Sequence, residues 1–397
     1  MPPHPAAAAA QAVPPDSLVA WFDRAWGFAD TTFFDSATVA NRFTEENRLR
    51  LRRQAATLGS IDELASLLSA FLGQAGFSHA GAFTPRDLDY WVLGAFAPRA
   101  RIPLATWHIG AMFAPAPGGW IVRAVLEGGP AAAAGLRRGD VIVRANGAPF
   151  HPFDSFATGR AARLLVRRGG RTFGALAIPR FQGPLESFRM ATLASIRHLE
   201  LDGHRVGVVH MWCCVNLEMR AALQTALLDS LADCEGVVLD LRDGYGGVSS
   251  AFADLLTRDP DEDLTVTVIG RHGPLPPPPR HDTPPHPWYR GPLVAIVNEG
   301  TRSAKEILAF DLQRSGRATL VGTRTAGAVC ALAFAYADAA HRLIVEVPVG
   351  ELRLNGERVE GVGVPPDRVV PWPLESNLDG DPQLDAALEA LRGRLGR

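Results

Sequence analysis

Lysine is almost missing from this chain: of its 40 basic residues only Lys305 is not an arginine. With 42 acidic residues the formal net charge is −2, so no basic surface points to a nucleic acid or to an anionic membrane. No run approaches about 18 uninterrupted apolar residues, so a membrane span is not expected. Cysteine is scarce, at positions 213, 214, 234 and 330. Four in a chain of 397 residues make no disulfide scaffold, and no CxxC spacing offers a zinc site. Neither a metal nor a cofactor is expected. The stretch from Met1 to Pro15 is Ala/Pro-rich and has no Lys or Arg, so it lacks the charged start of a secretory signal and reads as a disordered lead. Compartment stays open: periplasmic or secreted if a signal has been removed, otherwise cytoplasmic.

What is present is ordinary globular composition, 47% hydrophobic and 21% charged, in a length that exceeds one hydrophobic core. Residues 16–100 read as helical. Leu18, Trp21, Phe22, Ala25 and Trp26 recur at helical spacing, and Ile61, Leu64, Leu67, Leu68 and Phe71 repeat the pattern behind a Ser60/Glu63 capping box. Gly73 and Gly76 end it, and Phe77-Ser78-His79-Ala80-Gly81 follows as a turn. Residues 101–182 change to short strands and Gly turns, including Trp120–Val125, a short helix over Gly129–Leu136 with a Gly stop, and a strand over Gly139–Gly147 ending in an Asn-Gly turn. From 183 to 397 the pattern is α/β: strands at Arg205–Met211 and Gly236–Leu241, an amphipathic helix over Leu217–Leu231, and a helix starting near Ser249. Such alternation implies a largely parallel sheet. Between Arg258 and Gly291 lies an irregular Pro-rich stretch, in which Pro274 and Pro276 to Pro279 favour polyproline geometry.

One serine has the setting of a nucleophile. Val294-Ala295-Ile296-Val297 reads as a buried strand, Asn298 to Arg302 as a Gly-containing turn, and Ser303 opens an apolar-periodic helix. A hydroxyl there sits beside the positive end of a helix dipole, where developing negative charge is stabilised. Ser303-x-x-Glu306 is equally a capping box, a device for starting any helix. A second strand end, Asp240-Leu241-Arg242-Asp243-Gly244-Tyr245-Gly246-Gly247, carries a Gly-Gly pair that lets backbone approach a substrate. A Gly246 or Gly247 N–H with the Ala304 N–H would supply the two donors of an oxyanion hole.

Ser303 needs a base. Lys305 is two positions along the helix, rotated by about 200° from Ser303, and is poorly placed. Eleven histidines remain. His272, His281 and His286 lie in the Pro-rich stretch, His210 sits in an apolar strand, and His79 sits in a turn more than half the chain away. Spacing alone selects none of them.

The blocks together resemble the tail-specific, or C-terminal processing, serine peptidases and their tricorn-protease relatives. Phe77-Ser78-His79-Ala80 resembles the "SH" block, Gly129–Asn146 a PDZ signature, Asp240–Gly247 the "DLR.N.GG" block, and Ser303-Ala304-Lys305-Glu306 the nucleophile block. Val321–Gly327 and Glu360–Asp367 complete the order. The usual carboxylate loop of a PDZ domain is degraded here to His108-Ile109-Gly110-Ala111. The resemblance implies a crotonase-like α/β protease core with an N-terminal helical domain and a small, β-rich PDZ-like domain. It also implies a peptide or protein substrate. The tail-specific branch has its general-base lysine where this chain has Ala328, so a Ser/Lys dyad is not expected. The tricorn-like branch implies a Ser–His–Ser–Glu tetrad of Ser303, His79, Ser78 and Glu360. A catalytically inactive peptide- or ligand-binding protein on the same scaffold is the alternative. No residue is assigned to substrate binding.

Overall fold

Caps and apolar periodicity set the first helices. In the computed structural model, which describes residues 15–96, 104–247, 250–258, 264–276, 287–336, 342–376 and 380–395, these are α1 (Pro15–Thr32), α2 (Ser36–Arg42), α3 (Glu45–Ala55) and α4 (Ile61–Gly73). The Ser60 hydroxyl takes the Glu63 N–H (3.2 Å) and Glu63 returns to the Gly59 N–H (2.7 Å), which fixes the start of α4. Almost all of the proposed 1–15 lead lies outside the described residues. The region is not wholly helical: β1 (Gly81–Phe83) and α5 (Leu88–Ala95) follow α4.

The next segment is built from β2 (Thr106–His108), β3 (Ala111–Ala116), β4 (Gly119–Val125), α6 (Pro130–Ala133), β5 (Val141–Ala145), β6 (Ala148–Pro149), β7 (Ala162–Arg168), β8 (Arg171–Ala177) and β9 (Arg180–Gln182). Strands β3-β4-β5-β7-β8 form an antiparallel sheet with β6 paired to β5. It closes over its own core, which includes Ile109, Val122, Leu136, Ile142, Phe156 and Val166.

The remainder is α7 (Pro184–Ala194), β10 (Arg197–Leu201), β11 (His204–His210), α8 (Leu217–Gln224), β12 (Gly236–Asp240), α9 (Ser250–Ala253), β13 (Val266–Gly270), β14 (Gly273–Pro274), β15 (Leu293–Val297), α10 (Ala304–Arg314), β16 (Ala318–Gly322), β17 (Cys330–Tyr336), β18 (Ile344–Leu354), β19 (Glu357–Arg358), β20 (Arg368–Val369) and α11 (Pro382–Leu395). The central sheet runs β10-β11-β12-β15-β16-β20, parallel throughout except the β10–β11 hairpin. Every residue of β12 and β15 is buried, as expected of strands covered on both faces. Helix α11 packs with Val238, Val294 and Ile296 on one face, and a second apolar cluster with Leu223, Leu239, Leu308 and Leu312 covers the other.

Two expectations need correcting. The helix over Leu217–Leu231 is α-helical only to Gln224 and continues as a π-helical turn, Thr225–Ser230. The stretch from Arg258 to Gly291 is not all loop: Val266–Gly270 is a strand pairing with Leu354–Glu351, and Pro274 pairs with Ile269. Pro277 to Pro279 lie outside the described residues.

A second sheet joins the chain's ends. β18 pairs β1 on one edge and β17 on the other, so Glu346 is the partner of both Gly81 and Phe334. The Ser69 hydroxyl of α4 bonds both the N–H and the carbonyl of Ala82 (2.8 and 2.9 Å), and Val345 and Val347 share the core of the N-terminal helices. The turn before β1 is thereby carried to the residues before β17.

Candidate active site

Ser303 is the N-cap of α10, at the carboxyl side of β15. Its backbone lies at φ 57°, ψ −129°, whereas an ordinary N-cap is in the β region. Such a conformation costs about 1–3 kcal/mol and persists only where the surroundings hold it. They do: the Ser303 N–H donates to the Ala328 carbonyl (3.0 Å) and approaches the Glu306 carboxylate (3.1 Å). Glu306 is fully buried. It also accepts from the Thr325 hydroxyl (2.5 Å) and the N–H groups of Gly327 and Ala328 (2.7 Å each). The expected capping carboxylate is therefore present, but it ties the serine turn to residues 325–328 and fixes a strained serine.

Gly246 faces that serine. A Cβ built on it would lie 2.5 Å from Ser303 Cβ, 2.8 Å from its Oγ and 2.9 Å from the Ala304 N. Gly247 faces away; its Cβ would meet the Cys214 carbonyl at 2.1 Å. Of the two glycines expected from sequence, Gly246 is the one set against Ser303 and Ala304. The loop leading to it is braced by Asp243 at φ 47° and by Arg242, whose guanidinium bonds Asp240, Asp381 and Gln383.

His79, also at positive φ (56°), begins a hydrogen-bonded chain. Its Nδ1 lies 2.7 Å from the Ser78 Oγ, and that hydroxyl is 2.9 Å from Glu360 Oε2. Glu360 also accepts the Ser78 N–H (2.6 Å) and the Val329 N–H (2.7 Å). An ionised carboxylate only accepts, so the single Ser78 hydrogen goes to Glu360. Ser78 then accepts from His79, which places the imidazole proton on Nδ1 and leaves Nε2 with its lone pair. Burial, with the Arg302 guanidinium nearby, lowers the His79 imidazole to about 3. The imidazole is therefore neutral at pH 7.

Residues 328 and 329 join the two halves: the Ala328 carbonyl holds Ser303, and the Val329 N–H holds Glu360. The position at which a tail-specific lysine would sit thus adjoins Ser303 and is an alanine. Lys305 does not face the serine. Its Nζ donates to the carbonyls of Asp243 (2.7 Å) and Arg242 (3.3 Å), in agreement with the helical rotation argument. His210 is buried, as its apolar strand suggested, with Nε2 2.9 Å from the Arg242 carbonyl and Nδ1 3.3 Å from Glu127.

A cavity of about 400 Å³ is lined by residues that flank the serine in sequence and by its Ala328 partner, but not by Ser303, His79 or Gly246 themselves. Its walls come from the degraded loop at His108–Met112, from Asp87–Asp89 before and at the start of α5, and from Asp243–Tyr245, Gly300, Arg302 and Ala328. Arg123 of β4 reaches Asp243 across it (3.4 Å). Sequence reasoning missed Arg302, which lies over the Tyr245 ring (5.3 Å) near Asp89 (3.7 Å). It also missed Glu346, whose carboxyl is raised to about 8 by burial and then by Asp89. Neither belongs to a motif; β18 register and the serine turn place them.

Among the described residues one triple, His198, Asp233 and Cys234, brings potential ligand atoms within 4.8 Å of one another. Asp233 is paired with Arg205 (2.6 Å) and His198 Nε2 with the Ser230 carbonyl (2.9 Å), so two of the three are already engaged. The four cysteines are buried and free. No helix among the described residues is long and apolar enough to cross a membrane.

Comparison with known proteins bears on the family and the fold. Residues 205–370 match the model of peptidase family S41, and residues 121–168 match that of the PDZ domain. The chain thus carries a peptidase family S41 domain and a PDZ domain. It is 30% identical over 327 residues to carboxyl-terminal-processing peptidase 3 (chloroplastic) of Arabidopsis thaliana, covering 76% of this chain and 59% of that protein. It is 28% identical over 373 residues to a putative tricorn protease homolog 2 of Streptomyces coelicolor, covering 83% of this chain and 28% of the relative. The chain therefore spans under two thirds of either relative. Among solved structures, the photosystem II D1 C-terminal processing protease superposes with TM-score 0.55 at 20% identity, covering 96% of this chain and 98% of that one. The tricorn protease gives 0.55 at 18%, covering 96% and 37%. These superpositions support the same mixed α/β fold, with its helical N-terminal region and PDZ domain.

Proposed function

We propose that this chain is a serine-type peptidase acting on peptide or protein substrates through an acyl-enzyme. Ser303 Oγ attacks the scissile carbonyl. His79 Nε2 takes its proton and returns it to the leaving amine. Ser78 and Glu360 hold the tautomer and offset the charge on the imidazolium that forms. The N–H groups of Gly246 and Ala304 receive the oxyanion, the latter with the first-turn dipole of α10 behind it. The substrate lies in the cavity between the PDZ loop and the serine turn.

The observation that carries this reading is the series His79–Ser78–Glu360–Val329, with the preceding residue, Ala328, accepting the N–H of a strained Ser303; the two turns are tied together through residues 328 and 329, without a direct hydrogen bond between Ser303 and His79. A neutral, proton-accepting Nε2 is what a base requires, and an inert binding protein has no use for it. The test is turnover of casein or an unfolded fluorogenic peptide by wild type, Ser303→Ala and His79→Ala, with fluorophosphonate labelling alongside. Both variants should lose turnover, and His79→Ala should lose labelling of Ser303. Equal turnover by wild type and Ser303→Ala would leave the binding protein as the correct reading.

A further inference from the structure

We infer that Lys305 is a positioning residue for the oxyanion loop: its ammonium, fixed two residues beyond the nucleophile, clamps the carbonyls of residues 242 and 243 and so sets the distance between Gly246 and Ser303. The inference rests on the peptidase reading above. Lys305 is the only lysine in the chain and is fully buried. An ammonium inside a protein is costly unless its donors are used. Its partners are two backbone carbonyls, Asp243 at 2.7 Å and Arg242 at 3.3 Å.

Those carbonyls face inward for a structural reason. Asp243 and Gly244 are consecutive left-handed residues, at φ 47° and 71°. Gly244 is pressed so closely on Trp212 that a Cβ would lie 1.9 Å from its carbonyl oxygen. The reversal that delivers Gly246 to Ser303 therefore turns the 242 and 243 carbonyls into the core, where they need donors. His210 Nε2 supplies one to Arg242 (2.9 Å). Lys305 supplies the others, from the helix whose N-terminus is the nucleophile. One side chain thereby bonds both walls of the oxyanion hole into a single rigid unit, with a positive charge behind the loop. An apolar residue would fill the same volume but leave the Asp243 carbonyl without its donor and the loop free to shift away from Ser303.

Substitution to Met keeps volume and removes the donors; Gln keeps a neutral donor. Turnover of a fluorogenic peptide is measured per active site titrated with fluorophosphonate, together with inhibition by a peptide boronate, whose tetrahedral adduct occupies the oxyanion hole, and binding of a product peptide. Lys305→Met should lower kcat about 30-fold or more with KM within about twofold, as misplacement by a fraction of an ångström does. Boronate affinity should fall by a similar factor, product affinity should hold, and Lys305→Gln should recover part of the loss. Met-variant kcat per titrated site within about threefold of wild type would overturn the inference, as would equal weakening of boronate and product. If Lys305→Met does not fold, Lys305→Gln decides: a kcat loss confined to titrated sites supports the clamp, and wild-type kcat overturns it. Ser303→Ala run in parallel separates the readings, because its retained turnover would sink the peptidase assignment itself.

Discussion

Replacing Gly246 by alanine should silence the enzyme without unfolding it. Gly246 is not at positive φ, so alanine meets no backbone strain there. The added methyl would stand 2.5 Å from Ser303 Cβ and 2.8 Å from Oγ. Carbon–carbon contacts prefer about 3.5–4.0 Å, so the overlap is about 1 Å and must be relieved by moving the loop or the serine. A shift of that size costs about 100-fold in rate. Loss of one oxyanion donor costs about 100- to 1000-fold, or about 3–4 kcal/mol. The two effects share one displacement, so a fall in kcat/KM of at least about 100-fold is expected, with a stability loss of about 1–3 kcal/mol from the overpacking that leaves the protein folded. Gly247→Ala is the control and should behave oppositely. At φ 143°, with the Cys214 carbonyl 2.1 Å from the new methyl, it must disturb the β-bridge to Cys214 and lower stability first. Peptide turnover, fluorophosphonate labelling rate and thermal unfolding of both variants decide the matter. A Gly246→Ala protein that labels at the wild-type rate and keeps more than a tenth of wild-type kcat/KM would refute the assigned oxyanion geometry.

Three further outcomes follow from the same contacts. Glu360→Gln puts an amide beside groups that are all donors, Ser78 N–H, Ser78 O–H and Val329 N–H; it should turn the Ser78 hydroxyl toward His79, protonate Nε2 and cut kcat by about 100-fold or more, checked by steady-state kinetics. Because the His79 imidazole is lowered to about 3 by burial and Arg302, the base stays neutral below pH 6.5 and the acid limb of kcat/KM should lie well under that value. The unfolded chain binds a proton there that the folded chain refuses, so His79 should contribute a fall of about 1.4 kcal/mol per pH unit between about 6.5 and about 3, read as the difference between wild-type and His79→Gln profiles because Glu346, raised to about 8, opposes it above about 4.5. Paired kinetic and urea-unfolding profiles test both, and a kinetic pKa of 6.5 would refute the first. Glu306→Ala leaves the hydroxyl of Thr325 and the N–H groups of Gly327 and Ala328 without their acceptor and should cost about 3 kcal/mol or more, seen as a lowered denaturant midpoint.

Local chemistry made part of this site readable. A β-branched run, a turn and a capping serine marked Ser303 because each is a short-range signal, and the Gly-Gly pair marked the opposing loop for the same reason. The partner histidine could not be found that way. His79 reaches the site through a three-residue strand, β1, whose register on β18 is fixed by Ser69 and by the valines of β18. None of that leaves a periodic trace near residue 79, and only family resemblance pointed to it. Strand β13 was hidden by flanking prolines and glycines. The choice between Gly246 and Gly247 depended on which one the bridge to Cys214 turns away. Glu306 read correctly as a capping acid, but its ties to residues 325–328 are long-range and outside what a four-residue motif encodes.

The resulting arrangement explains why the strained residues cluster. His79, Asp243 and Ser303, three non-glycine residues at positive φ, each belong to a different one of the three segments that meet here. Each, or the residue beside it, is held by a group that also holds a neighbour: Glu306 ties Ser303 to Ala328, Glu360 ties Ser78, the partner of His79, to Val329, and Lys305 ties Asp243 to the helix that follows the serine. Two carboxylates and one ammonium therefore keep in place what the backbone alone would release at about 1–3 kcal/mol per residue. Their burial costs stability, but it also removes the freedom of the segments to drift apart. The turns that carry Ser303, His79 and Gly246 are consequently fixed against one another before any substrate arrives, with no hydrogen bond needed between Ser303 and His79 themselves. In such a site the groups that never touch the substrate should be almost as costly to lose as those that do, and their loss should appear in kcat before KM.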